Sequence, residues 1–421
     1  MTDAIQADAI QGRDPRTGQP TGEPVPVTGT ARVAEMVAAA QSAFEAWRDT
    51  ARETRAAALE AVAAALDEGA AELVALADAE TALGSARLTG EVARTTGQLR
   101  LFAEVLRDGS YQGVVIEHAE GARPDLRRIK RPLGPVAVFA ASNFPFAFSV
   151  AGGDTASALA AGCSVIVKAH EAHPRTSRRT AEIVRQALAK AGAPDAVFDI
   201  VFGVQEGVAL VKHPLLTAVG FTGSTRGGLA LAKLCAERPR PIPFYGELGS
   251  VNPVIVFPAA ARNRPQEIAR GYVASLTQGV GQFCTNPGVM FVPDDAALIE
   301  AIEAAVRESA GGPMLSEKIH AGYAASVDHL GAREDVSLLA SGKPGAGPWE
   351  AAPVVYRTTP EAVDAHRELL DEEHFGPVGI LVVGADPAGA AALIDGEEAG
   401  HLTATVHADL DSGDDADQAR R

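Results

Sequence analysis

From residue 134 onward the chain alternates short apolar runs with longer helix-like ones, and this constrains its fold more than any other feature. Strand-like runs lie at 136–139, 164–168, 197–201, 218–222, 254–257 and 289–292. Helix-like runs lie between them at 154–161, 177–191, 206–212 and 227–235. Strands alternating with helices close as crossovers, so the pattern predicts a mostly parallel, doubly wound α/β sheet. A second α/β unit is expected to begin near Glu247. Ahead of this region, 1–30 reads as an irregular entry segment, 31–80 as Ala-rich helix and 91–107 as another helix. The stretch 114–131 is polar and extended around Glu120-Gly121-Ala122-Arg123-Pro124, the pattern of a hairpin.

Composition removes several function classes. The net charge of −17 over 421 residues opposes nucleic acid or an acidic membrane surface as the main partner. The most apolar stretch, 150–167, is interrupted by Gly152, Gly153, Asp154 and Gly162, so no membrane span is expected. Cys163, Cys235 and Cys284 are too few and too scattered for a disulfide framework. Met1-Thr2-Asp3-Ala4 lacks the basic start and apolar core of a signal peptide, and the expected location is cytoplasmic. No metal site is expected: His170 and His173 form a loop pair without further ligands and should face solvent.

Three segments carry candidate chemistry. Gly281-Gln282-Phe283-Cys284-Thr285-Asn286-Pro287-Gly288 sets a cysteine in a polar loop after the apolar run 268–276, where a thiolate could act as nucleophile. Glu247 lies between glycines before the run 254–257. It could serve as a general base if partly buried, or simply cap a turn. Asn143 follows the run 136–139 and precedes Phe144-Pro145. Its amide could serve a developing oxyanion, or it could start an ordinary turn. No G-x-G-x-x-G stands between strand and helix. The glycine-bearing turn is Phe221-Thr222-Gly223-Ser224-Thr225-Arg226-Gly227-Gly228, where helix-terminal N–H groups could meet a pyrophosphate.

Together these segments resemble the aldehyde dehydrogenase superfamily. The resemblance runs from Asp14-Pro15-Arg16-Thr17-Gly18 to Phe375-Gly376-Pro377, with Asn143, Lys168, Gly223-Ser224-Thr225, Glu247, Cys284 and Glu373-His374-Phe375-Gly376-Pro377 in the family's order. The stretches 146–163 and 283–288 are similar to α-ketoglutaric semialdehyde (2,5-dioxopentanoate) dehydrogenases, and also to long-chain fatty aldehyde dehydrogenases of luminous bacteria. The resemblance implies a doubly wound cofactor-binding domain at 1–113 and 132–246, a β-hairpin oligomerisation arm at 114–131 and an α/β catalytic domain from 247. The family pattern continues beyond the position of Arg421, whereas this sequence stops in the Asp-rich stretch 409–421. That leaves part of the pocket wall, a final inter-subunit strand and the homodimer or homotetramer they would build open.

By the same resemblance, Cys284 attacks an aldehyde, Asn143 and the Cys284 N–H hold the oxyanion, and Glu247 activates water against the thioester. The cofactor is NAD or NADP. Ser224, with Gly223, sits near the pyrophosphate, and Lys168 reaches the adenosine ribose. Glu373 binds the nicotinamide ribose and Phe375 packs against the cofactor. Glu171 stands where a family carboxylate meets the ribose 2′-hydroxyl and would repel a 2′-phosphate, or it pairs with Arg175, Arg178 or Arg179. The implied product of α-ketoglutaric semialdehyde is 2-oxoglutarate. Another aliphatic or semialdehyde substrate, or a weakly catalytic nucleotide binder, is the alternative.

The same resemblance implies that Arg94, on the helix at 91–107, faces the aldehyde channel, with Gln98 one turn on and Phe148 as an apolar wall. Arg94 could pair with the distal carboxylate of a semialdehyde acid, or be a surface arginine bound to Glu91.

Overall fold

Runs of consecutive apolar residues suit strands buried on both faces, which a parallel sheet covered by helices provides. The computed structural model describes residues 8–395 and 400–419. Its contacts divide the chain into two units, Met1–Arg13 with Pro20–Leu248 and Asp14–Gln19 with Gly249–Arg421.

The first unit opens with the short antiparallel pair β1 (Ala9–Ile10) and β2 (Val25–Pro26). Four helices follow: α1 (Thr30–Trp47), α2 (Arg52–Glu68), α3 (Ala70–Thr81) and α4 (Ser85–Asp108). The single Ala-rich stretch expected at 31–80 is therefore three helices. Gly69 ends α2 and starts α3, and a Cβ there would lie 2.9 Å from the Ile183 Cδ1 atom. The antiparallel strands β3 (Val115–Glu117) and β4 (Leu126–Arg128) form the expected hairpin, with Ile116 and Leu126 exposed.

Five parallel strands make this unit's main sheet: β5 (Val136–Phe139), β6 (Val165–Lys168), β7 (Phe198–Val201), β8 (Ala218–Thr222) and β9 (Phe244–Glu247). Their order is β7-β6-β5-β8-β9, so the winding reverses between β5 and β8. The crossover helices are α5 (Gly153–Ala161), α6 (Pro174–Lys190), α7 (Val204–Lys212) and α8 (Thr225–Ala236). Strand alternation sorts the core onto two faces. Val136, Val138, Val165 and Val167 pack with Leu59, Leu99, Leu159 and Val184, whereas Ala137, Phe139 and Ile166 pack with Val37, Leu210 and Leu231. Burying each Val, Leu, Ile or Phe side chain among these contributes about 1.5–3 kcal/mol.

The second unit holds a six-stranded sheet of order β13-β15-β16-β11-β10-β17. These strands are β10 (Val254–Val256), β11 (Val289–Val292), β13 (Ser337–Ser341), β15 (Val354–Thr358), β16 (Val378–Val383) and β17 (Thr405–His407). Only β13 is antiparallel to its neighbour. The pair β12 (Gly312–Pro313) and β14 (Glu350–Ala351) stands apart. Helices α9 (Pro258–Asn263), α10 (Pro265–Thr277) and α11 (Ala296–Glu308) precede α12 (Glu317–Gly331), α13 (Pro360–Ala365), α14 (Glu368–Asp371), α15 (Pro387–Asp395) and α16 (Gly413–Ala419). Met290 and Val292 face Ile268, Leu276 and Ile302 on one side, and Val289 and Phe291 face Tyr323, Val363 and Leu370 on the other. Among the described residues no helix is long and apolar enough to cross a membrane.

Candidate active site

All five strands of the first sheet run the same way, so the segments leaving their carboxyl ends share one edge. Ligands of open α/β sheets bind at that edge, where the winding reverses. Phe139 at the end of β5 is in register with Lys168 on one side and Phe221 on the other, and Thr222 is in register with Glu247. The structure thus brings Asn143, Lys168, Glu171, Gly223, Ser224 and Glu247 to one sheet edge.

Asn143 is buried in the segment after β5, and its carbonyl accepts from Arg87 Nη2 at 2.6 Å. Glu91 Oε1 pins the same segment by accepting the N–H groups of Phe146 at 2.8 Å and Ala147 at 3.0 Å. Burial pushes the Glu91 carboxyl up, outweighing those hydrogen bonds and the charges of Arg87 and Arg94. His173 does not face solvent as its loop position suggested. It is fully buried because its ring bridges Ser177 Oγ and the Ala141 carbonyl, both at 3.1 Å. Burial pushes its pKa down.

Lys168 ends β6 and is ion-paired with Glu171, three residues on. Burial raises the Glu171 carboxyl, but the charges of Lys168 and His170 and the Lys168 hydrogen bond bring it below the usual carboxylate range. Arg179 instead binds Glu72 and Glu182. Gly223 and Ser224 form the exposed turn from β8 into α8, where Ser224 Oγ caps the helix by accepting from Gly227 N–H at 3.3 Å. Glu247 is the last residue of β9, not a loop residue at the entry to β10. It is exposed, and its carbonyl accepts the Gly223 N–H at 3.0 Å. The sequence hides β9 because an edge strand with three exposed residues shows no apolar run.

The Arg94–Glu91 surface pair does not form, because the Glu91 carboxylate is buried on Phe146 and Ala147. The exposed Arg94 guanidinium instead lies 5.0 Å from the Phe148 ring centre and 5.7 Å from that of Phe144, within cation–π range. Gln98 follows one turn along α4, half-buried.

In the second unit α10 ends at Thr277 and the chain turns through Gly279, Val280 and Gly281, all at positive φ. At Gly281, φ is +67° and a Cβ would sit 2.2 Å from the Gly376 carbonyl carbon, so only glycine fits. Cys284 follows, half-buried in the loop, as a thiol outside any disulfide. Three amide side chains hold this loop. Asn252 Nδ2 donates to the carbonyls of Cys284 at 2.7 Å and Asn286 at 2.9 Å, and Ser250 Oγ also donates to the Cys284 carbonyl. Asn286 Nδ2 donates to the Leu276 and Gly281 carbonyls, each at 3.1 Å. Gln282 Nε2 donates to Gly279 O at 3.1 Å, and its Oε1 accepts from Leu315 N–H at 2.9 Å.

A pocket beside the loop is lined by Ser250, Phe283, Asn286, Glu373, His374 and Phe375, among others. Two expected cofactor residues, Glu373 and Phe375, thus share a wall with the neighbour of Cys284. Burial pushes the Glu373 carboxyl up to about 7, although the Ser250 N–H pulls the other way. Burial, with a smaller contribution from His329, pushes His374 down to about 4. The sequence does not reveal Arg87, Ser250 and Asn252, and it offers Glu91 only as a surface partner of Arg94. Asn252-Pro253 reads as a turn, and apart from Ser250 Oγ its side-chain partners lie 32 to 151 residues away along the chain.

The aldehyde dehydrogenase family model matches residues 2–416. The chain is 44% identical over 419 residues to α-ketoglutaric semialdehyde dehydrogenase 2 of Azospirillum brasilense, covering 97% of this chain and 79% of the relative. It is 42% identical over 322 residues to α-ketoglutaric semialdehyde dehydrogenase of Acinetobacter baylyi, covering 74% of this chain and 61% of the relative. Among solved structures, a mutant of 1-pyrroline-5-carboxylate dehydrogenase from Thermus thermophilus superposes with a TM-score of 0.84 at 24% identity. That match covers 99% of this chain and 81% of the solved one, and bears on the fold. The chain belongs to the aldehyde dehydrogenase family.

Proposed function

We propose that the chain oxidises α-ketoglutaric semialdehyde to 2-oxoglutarate with NAD or NADP, through a covalent intermediate on Cys284. The observation that carries this reading is the Cys284 loop: a half-buried thiol whose backbone is held by Ser250, Asn252 and Asn286, next to a pocket walled by Phe283, Glu373 and Phe375. The names of the two relatives support the substrate.

The chemistry divides among named side chains. The Cys284 thiolate attacks the aldehyde carbon and forms a C–S bond. The Asn143 amide and the Cys284 N–H donate to the oxyanion that develops. A bound nicotinamide supplies the hydride acceptor. Glu247 then takes a proton from the water that attacks the thioester, the C–S bond breaks, and the carboxylate leaves with the thiol regenerated.

Residues at the first sheet's edge fit the dinucleotide. Gly223 and Ser224 present an exposed N-terminus of the 12-residue helix α8, suited to a pyrophosphate. Lys168 and Glu171, already paired, would meet the adenosine ribose. The ionised Glu171 favours NAD over NADP, because a 2′-phosphate would meet a like charge. Glu373 and Phe375 would serve the nicotinamide side. Arg94, stacked on Phe144 and Phe148, would bind the distal carboxylate of the substrate, with Gln98 beside it.

The hairpin β3–β4, with Val114, Ile116, Leu126 and Ile129 exposed, supports self-association as a homodimer or homotetramer. The cytoplasm is the compartment we propose. The test of the reaction is formation of reduced nicotinamide with a panel of aldehydes that carry or lack a distal carboxylate. Preference for the semialdehyde acid is expected, and equal rates across the panel would overturn that substrate.

A further inference from the structure

We infer that Asn252 is a positioning residue that sets the attitude of the Cys284 thiol, an inference that rests on Cys284 being the nucleophile. Asn252 is 2% exposed and sits between two separate segments of the second unit. Toward one side its Nδ2 donates to the carbonyls of Cys284 at 2.7 Å and Asn286 at 2.9 Å. Toward the other its Oδ1 accepts the N–H groups of Leu402 and Thr403, both at 3.0 Å. The side chain therefore has two carbonyls and, at 3.3 Å, Ser250 Oγ before its nitrogen, and two N–H groups before its oxygen. Exchanging its oxygen and nitrogen would set donor against donor and acceptor against acceptor, so the network fixes its orientation.

The backbone repeats the arrangement. Val251 O accepts the Gly288 N–H at 2.8 Å on the loop side, and Pro253 O accepts the Thr405 N–H at 3.0 Å on the other. Asn252 itself has φ +56°, a conformation that asparagine tolerates better than most residues. A β-branched or long side chain at this position would meet backbone strain as well as lose the bonds.

The consequence reaches the thiol through the peptide that follows it. Ser250 Oγ and Asn252 Nδ2 both donate to the Cys284 carbonyl, so the plane between Cys284 and Thr285 is held from one side. That plane fixes the Cα from which Sγ projects. An attack geometry is sensitive to displacements of about 1 Å, which alone can change a rate about a hundredfold. Asn252 touches no reacting atom in this account; it acts through Cys284.

Two substitutions separate its two sides. Asn252→Asp keeps oxygens for Leu402 and Thr403 but turns a carboxylate toward the carbonyls of Cys284 and Asn286. Asn252→Gly keeps the positive φ and removes every side-chain bond. Ser250→Ala is a milder third variant that removes one of the two donors on the Cys284 carbonyl, and it carries the test should the Asn252 variants fail to fold.

The experiment uses the full chain and measures the rate of iodoacetamide alkylation of Cys284 across pH, with the modified peptide identified by mass, together with kcat and KM. Readings are taken well below each variant's melting temperature. Asn252→Asp should slow both Cys284 alkylation and kcat by about tenfold or more, with KM for the nicotinamide cofactor nearly unchanged, and Ser250→Ala should fall between it and wild type. A folded Asn252→Asp or Asn252→Gly protein with wild-type alkylation rate and kcat would overturn the inference, as would a wild-type rate in Ser250→Ala if that is the only variant to fold. If wild-type inactivation instead tracks modification of Cys163 or Cys235, the nucleophile assignment fails rather than the role of Asn252.

Discussion

Glu91 Oε1 accepts the backbone N–H of Phe146 at 2.8 Å, so a buried carboxylate on α4 holds the segment that carries Asn143. Glu91→Ala would leave the N–H groups of Phe146 and Ala147 without their acceptor in a buried place. The expected loss is about 1–3 kcal/mol of stability, with a fall in kcat as Asn143 loosens. Glu91→Gln keeps an acceptor oxygen and should lose less. Chemical denaturation of both variants checks this, and an Ala variant as stable as wild type would contradict it.

Glu373 supplies a pH test with a definite sign. Its folded carboxyl titrates at about 7 against an ordinary 4.5, because burial disfavours the charge. Between those values the folded protein binds the extra proton, so this group's contribution is fully present below pH 4.5 and is lost as pH rises through 7. Glu373→Gln should therefore stabilise the protein at pH 8 by about 1–3 kcal/mol, with the gain vanishing near pH 4.5. Melting temperatures at the two pH values check it, and a gain independent of pH would contradict it. The same variant should weaken cofactor binding, since an amide offers a ribose hydroxyl a poorer acceptor than a carboxylate.

Glu171→Thr removes the carboxylate beside Lys168 and leaves the ammonium without its partner. The ratio of kcat/KM for NADP over NAD should rise about tenfold or more, as repulsion of a 2′-phosphate is replaced by attraction to Lys168. An unchanged ratio would mean that Glu171 stands away from the ribose.

The parallel core was legible because its strands are buried on both faces: 136–139, 218–222 and 289–292 coincide with β5, β8 and β11. Glu247 was misplaced because β9 is an exposed edge, whose membership in the sheet comes from register with β8 rather than from its own pattern. The backbone-holding roles of Arg87, Glu91 and Asn252 are not legible for a related reason. Each acts on backbone groups 32 or more residues away, and neither helical spacing nor turn chemistry encodes such partners. Cys284 itself stood out because its loop lacks the apolar periodicity of a core cysteine, as the buried Cys163 and Cys235 make plain by contrast.

Arg94→Met removes the guanidinium stacked on Phe148 while keeping apolar bulk. KM for α-ketoglutaric semialdehyde should rise about tenfold or more, with little change for an uncharged aldehyde of similar length. Equal changes for both substrates would remove Arg94 from the substrate site.

The central claim is covalent catalysis by Cys284, and rapid mixing of the protein with NAD or NADP and α-ketoglutaric semialdehyde tests it most directly. Wild type should release a burst of reduced nicotinamide, with a thioester of matching mass on the Cys284 peptide. Glu247→Gln should keep the burst and slow the turnover that follows, and Cys284→Ser should show neither burst nor adduct while still binding the cofactor. Reduced nicotinamide formed at the wild-type rate by Cys284→Ser would contradict the account.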